Sequence, residues 1–104
     1  MEEIYELEDI ISRLDDEDRY FIDFLNAKGL KAGILRLHPG EKDTQEPHQV
    51  DEVYYVIEGR GFIEINGKNH TIKQGTSVFI PAKSKHRFHG NVQDLVVFYA
   101  LASH

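Results

Sequence analysis

The stretch EPHQVDEVYYVIEG, running from Glu46 to Gly59, sets Glu46, His48 and Glu52 at even positions ahead of an apolar run. In a strand, residues two apart share a face, so these three groups would point the same way as Tyr54 and Val56. Pro47 makes the entry to such a strand irregular. A carboxylate on an apolar face needs a partner to offset its lost hydration. A metal ion, an arginine or a network of hydrogen bonds would each meet that need. A second histidine, His86 in IPAKSKHRFHG, alternates with Phe88 and is expected to face inward, which turns Lys83, Lys85 and Arg87 outward as a row. Two imidazoles and a carboxylate form a ligand set for iron, manganese, zinc or nickel, and with open positions the set suits non-haem Fe(II) chemistry. On spacing alone a plainer reading competes: His48 and Glu52 as surface groups at a strand edge, and His86 as a satisfied polar residue.

The elements that must position these residues read as follows. Leu7, Ile10, Ile11 and Leu14 have the i, i+3, i+4, i+7 spacing of a short amphipathic helix. RYFIDFL and LKAGILRL are strand-like and are joined by the turn signal NAKG. HPGEKDTQEP is a polar loop. Short strands then follow one another: VYYVIE, FIEI, KNHTI, TSVFI, HRFH and LVVFYAL, separated by glycine, proline or asparagine breaks. Asn66-Gly67 between two alternating runs is a strong hairpin signal. The pattern predicts an all-β antiparallel sandwich or barrel.

The chain of 104 residues is the size of one domain. No apolar run approaches the roughly 20 residues of a membrane helix. The absence of cysteine removes disulfide and thiolate chemistry. Residues 1–18 hold nine acids against the single base Arg13, whereas the rest of the chain is close to balanced. An acidic lead is the reverse of a basic signal-peptide start, so a cytoplasmic protein is expected. No basic face favours nucleic acid. The expected organisation is an acidic helical segment over 1–18 and a β-barrel over 19–104.

The order of the pieces resembles the cupin superfamily, in particular its small single-domain members. Gly40, His48, Glu52 and Gly59 fill four fixed positions of the first cupin motif, G-x5-H-x-H-x3,4-E-x6-G. Gly75, Pro81 and His86 fall in place in the second, G-x5-P-x-G-x2-H-x3-N. The sequence departs from the motifs at Glu46, which replaces the leading histidine, at Lys83 for a glycine and at Gly90 for the asparagine. DTQEPHQVDEVYY is similar to a subgroup reading D-x-Q-x-P-H-x-x-D-E-V-Y. The resemblance implies a jelly-roll-like double-stranded barrel binding a divalent Fe, Mn, Ni or Zn ion through His48, Glu52 and His86. Either Glu46 or Gln45 is a candidate fourth ligand, or the site uses only three protein ligands. It also implies pairing as a homodimer.

Arg36, flanked by Leu35 and Leu37, must snorkel or find a partner. It either enters the pocket and holds a substrate carboxylate in a bidentate pair, or sits at an edge against a surface acid. Tyr54 could donate a hydrogen bond or proton there. Phe88 and Phe98 are candidates to line the pocket or simply to fill the core, and Tyr99 has the opposite parity to Phe98. His89 should face outward, His38 reads as structural, and His70 and His104 as solvated. The expected function is metal-dependent chemistry on a small, acidic organic molecule, with dioxygenation first. Isomerisation, decarboxylation and non-catalytic binding of a sugar or organic acid are the alternatives.

Overall fold

A computed structural model describes residues 1–103; the expectation for His104 lies outside them. Helix α1, Leu7–Glu17, is followed by eight strands: β1 Phe21–Ala27, β2 Leu30–Leu37, β3 Glu52–Glu58, β4 Arg60–Ile65, β5 Lys68–Lys73, β6 Ser77–Ile80, β7 His86–His89 and β8 Leu95–Leu101. They form a five-stranded sheet in the order β1-β2-β8-β3-β6 and a three-stranded sheet in the order β5-β4-β7, all antiparallel. The fold is the all-β one expected, with a short helix ahead of it. No helix among the described residues is long and apolar enough to cross a membrane.

Local chemistry accounts for the turns. Asn66 and Gly67 take φ of 49° and 82°, the left-handed pair that a two-residue type I′ hairpin turn requires between β4 and β5. Lys83, where the cupin motif has glycine, adopts φ 70° without being a glycine. The motif's turn geometry is thus retained at some steric cost.

Two apolar layers result from strand alternation. Leu35, Leu37, Tyr54, Val56, Ile63, Phe88, Leu95, Val97, Tyr99 and Leu101 belong to the core enclosed by the sheets. A second cluster forms on the outer face of the large sheet, where Ile10 and Leu14 of α1 cover Ile22, Ile34 and Val96. Strands β2 and β8 are therefore buried on both faces.

That second layer corrects two expectations. Arg36 shares its face with Ile34, so it points toward α1 and not into the barrel. Its guanidinium lies 2.7 Å from Asp15, which is the edge-pair reading of this residue and not the substrate-anchor one. Phe98 likewise packs among Ile11, Phe24 and Ile57 under the helix, and Tyr99 takes the interior position. Gly33 leaves the space that Tyr99 fills: a Cβ there would collide with the tyrosine ring.

Candidate metal centre

Glu52 opens β3 on the inner face of the large sheet and His86 opens β7 on the facing sheet. Both side chains are 1% exposed. His48 arrives differently from the expectation. Strand β3 does not extend back to Glu46; residues 43–48 have no regular structure, and strand parity does not govern them. The loop is held in place by its own bonds. Lys83 donates its backbone N–H to the His48 carbonyl at 2.7 Å, and Ala82 donates to the Asp51 carboxylate at 2.9 Å.

The three side chains converge. His48 Nε2 and His86 Nε2 each lie 3.5 Å from the same Glu52 oxygen, Oε1. One ligand atom from each residue lies within 4.8 Å of the others. Separations of 3.5 Å are longer than the roughly 2.7–3.2 Å of a hydrogen bond. Accordingly Glu52 Oε1, Glu52 Oε2 and His86 Nε2 are buried with no hydrogen-bond partner among the described residues. Three orphaned polar atoms aimed at a common point are otherwise costly to bury. With His48 beside them, they fit the donor set of a divalent transition-metal ion.

The surrounding groups prepare the donors. His86 Nδ1 lies 3.0 Å from the Ser84 carbonyl oxygen, which can only accept, so Nδ1 carries the proton and the Nε2 lone pair faces Glu52. Burial lowers the His48 pKa, with the neighbouring His86 and Lys31 adding to the effect, and this favours the neutral, ligating imidazole. Loss of hydration pushes the Glu52 carboxyl up to about 7. That is the direction expected of a carboxylate buried away from water.

Tyr54 fills the interior beneath this cluster, its ring 4.8 Å from Phe88 in an edge-to-face contact. Both are fully buried, so Phe88 faces inward as core packing. Burial, reinforced by the Glu52 charge, raises the Tyr54 pKa well above that of an ordinary phenol, so its proton is firmly held. The Tyr54 hydroxyl donates to Gln45 Oε1 at 3.3 Å. Gln45 Nε2 in turn donates to both Asp43 oxygens, at 3.0 and 3.1 Å, and Asp43 also accepts the Phe88 backbone N–H at 2.9 Å. Gln45 thus approaches the site through Tyr54. Glu46 is exposed and stands outside the converging set, a correction to its candidacy as a ligand. Leaving the strand frees it to turn toward solvent.

Sequence reasoning missed the residues that hold the ligands. Asp43 and Asp51 both occur in the D-x-Q-x-P-H-x-x-D-E-V-Y run, but an acid in a polar loop does not announce which backbone N–H it will accept. Ser84 acts through its carbonyl and leaves no side-chain signal. Clefts flank the centre on the His86 side and on the His48 side. One of about 450 Å³ has Gln45, Glu46 and His86 in its lining, and one of about 390 Å³ has Lys31, His48 and Leu101. A further cleft of about 460 Å³, around Arg60 and Phe62, contains none of the ligands.

A family model for the cupin domain matches residues 33–101, from mid-β2 to the end of β8. The chain belongs to the cupin domain family. This cupin is 31% identical over 93 residues, 89% of both chains, to an uncharacterized protein of Streptomyces coelicolor. It is 29% identical over 73 residues to a 5-nitrosalicylic acid 1,2-dioxygenase of Bradyrhizobium, matching 70% of this chain and 35% of that one. It is also 31% identical over 71 residues to the dimethylsulfoniopropionate lyase DddW of Ruegeria pomeroyi, matching 68% of this chain and 47% of the lyase. The cupin therefore spans less than half the length of these two enzymes. Among solved structures, the TT1209 protein of Thermus thermophilus superposes over 97% of both chains with a TM-score of 0.78 at 20% identity, a likeness of fold.

Proposed function

We propose that this cupin is a metal-dependent enzyme acting on a small organic molecule, with O2-dependent oxidation of the dioxygenase type as its reaction. The observation that carries the reading is the buried, unpartnered carboxylate of Glu52 facing two imidazole nitrogens. His48, Glu52 and His86 would hold a divalent ion of iron, manganese, nickel or zinc. Such an ion supplies Lewis-acid chemistry, and as iron or manganese redox chemistry, at positions the protein leaves open. Three protein donors leave such positions, and the half-exposed His48 is the side from which a substrate can reach them.

The chain's own residues do the rest. Ser84 fixes the tautomer of His86. Tyr54 donates a hydrogen bond to Gln45, and burial keeps its phenol neutral beside the carboxylate. Tyr54, Phe88 and Tyr99 close the interior below the ligands and exclude bulk water from that side. The 5-nitrosalicylate dioxygenase among the relatives supports oxidation, and the lyase keeps a non-oxidative reaction as the rival.

The test is elemental analysis of untagged, purified protein by inductively coupled plasma mass spectrometry, followed by oxygen-electrode assays on a panel of small organic substrates. About one transition metal per chain and substrate-dependent O2 uptake is the expected result. Turnover without O2 uptake would move the reaction to the lyase or isomerase class. No metal, even after reconstitution, would overturn the metal reading.

A further inference from the structure

Arg36 faces α1, but a different cation, Lys31, lies on the Glu52 side of the large sheet. Strand pairing sets one continuous row across the large sheet: Asn26 of β1 opposite Lys31 of β2, Lys31 opposite Leu101 of β8, and Leu101 opposite Glu52 of β3. Directly opposed residues share a face. Lys31 also has the parity of Leu35 and Leu37, both in the enclosed core. Lys31 and the metal-ligating Glu52 therefore point to the same side of the sheet, two strands apart, a backbone separation of about 10 Å.

Lys31 and His48 line a common cleft of about 390 Å³, together with Asn26, Val50, Leu101 and Ser103. A volume of that order suits a small ligand. Lys31 is only loosely engaged there. Its Nζ lies 4.0 Å from Asp23 Oδ2, the outer limit of an ion pair, and both side chains are one-third exposed. The other Asp23 oxygen is committed to the Tyr99 hydroxyl at 2.6 Å. An ammonium has three donors, so at least two remain for a ligand. Asn26 and Ser103 are neutral and Val50 and Leu101 apolar, so Lys31 is the formal charge on these walls beyond the ligand cluster.

We propose that Lys31 is the carboxylate anchor of this site, and that its substrates are small organic monocarboxylic acids entering through the cleft that opens on His48. The acid group sits on the ammonium, the apolar body lies along Val50 and Leu101, and the reacting end reaches the His48 side of the centre. The proposal rests on the metal-centre reading above. The chemistry is that of a charge-assisted hydrogen bond in a partly dehydrated cleft, with Asn26 as a neutral neighbour.

The test is isothermal titration calorimetry on metal-loaded protein, with metal content measured on the same sample. Acetate, lactate, benzoate and salicylate are titrated against their amides. The expected result is that at least one acid binds, that its amide does not, and that Lys31→Met weakens the acid about ten-fold or more while Lys31→Arg restores most of the affinity. Circular dichroism melts of both variants check that the sheet is intact. Equal binding of acid and amide, an acid affinity unchanged in Lys31→Met, or no binding of any acid to fully metal-loaded protein would each overturn the anchor and leave the metal centre standing. Absence of metal from the wild-type protein after reconstitution would overturn both.

Discussion

Glu52 is the residue on which the chemistry turns. Its ordinary pKa is 4.5, and burial in the metal-free protein pushes it up to about 7. Below pH 4.5 the folded and unfolded chains both carry the proton, and nothing is lost. As pH rises through 7 the folded chain must hold a bare carboxylate away from water, and that part of the stability disappears. The metal-free protein is therefore expected to melt at a lower temperature at about pH 8 than at about pH 5, relative to Glu52→Gln, measured as Tm against pH for both. Parallel curves for the two proteins would show that Glu52 is not the titrating group. A bound cation favours the ionised form, so metal loading should remove the difference. His48→Ala and His86→Ala each delete one of three donors from a preformed site. Metal per chain should fall at least about ten-fold, given that even outer partners of metal ligands are worth that much. The melt should remain cooperative, and stoichiometric metal in both variants would contradict the assignment. The ligand types and their order were legible in the sequence, because a carboxylate leading an apolar run stands out. The corrections to Glu46 and to the route of His48 were not legible, because both lie in a loop shaped by Asp43, Asp51 and Lys83 through bonds to backbone groups.

At the scale of elements, the Arg36–Asp15 pair ties α1 to β2. Arg36 is 7% exposed and its Nε has no partner, whereas the Asp15 side chain is 60% exposed. Such a pair contributes less than its short distance suggests, because one end is hydrated and the other has given up its water. Asp15→Ala leaves a buried guanidinium without its counter-charge and is expected to lose about 1–2 kcal/mol. Arg36→Met removes the charge together with the unpartnered nitrogen and keeps an apolar stem on Ile34's face, so it should lose less. Chemical denaturation of the two variants decides the order. Metal content should be unchanged in both, and loss of metal in Arg36→Met would return this residue to the site. The amphipathic spacing of α1 was readable from Leu7, Ile10, Ile11 and Leu14. Its target was not, since periodicity shows that a helix has an apolar face without naming the surface that face covers.

For the whole molecule, the helix and the barrel share stability but not chemistry. Ile22, Ile34 and Val96 are buried only because residues 7–17 lie over them. Deleting residues 1–18 uncovers those side chains with Phe24, Ile57 and Phe98, and strands Arg36. The shortened chain is expected to melt several degrees lower and to aggregate more readily, since exposing a contiguous apolar patch has both consequences. The fraction that stays folded should bind metal as the full chain does, because none of His48, Glu52 and His86 belongs to the layer that α1 covers. An unchanged Tm on differential scanning calorimetry would show that the acidic lead is only a solvated appendage.

The residues alone determined the all-β class, the Asn66-Gly67 hairpin, the helix and the order of the candidate ligands His48, Glu52 and His86, because alternation, turn chemistry and motif spacing are local properties of the chain. They also determined which residues share a face: Arg36 with Ile34, Lys31 with Leu35 and Leu37, Tyr99 opposite to Phe98. What only the tertiary structure decided is which of those faces points into the barrel. A strand that meets water on one side declares its inner face by polarity, but β2 and β8 are covered on both sides, by the facing sheet and by α1. With apolar residues on both faces the period of two carries no direction. Packing turned Arg36 and Phe98 toward the helix and left Lys31 and Tyr99 on the side of the metal centre.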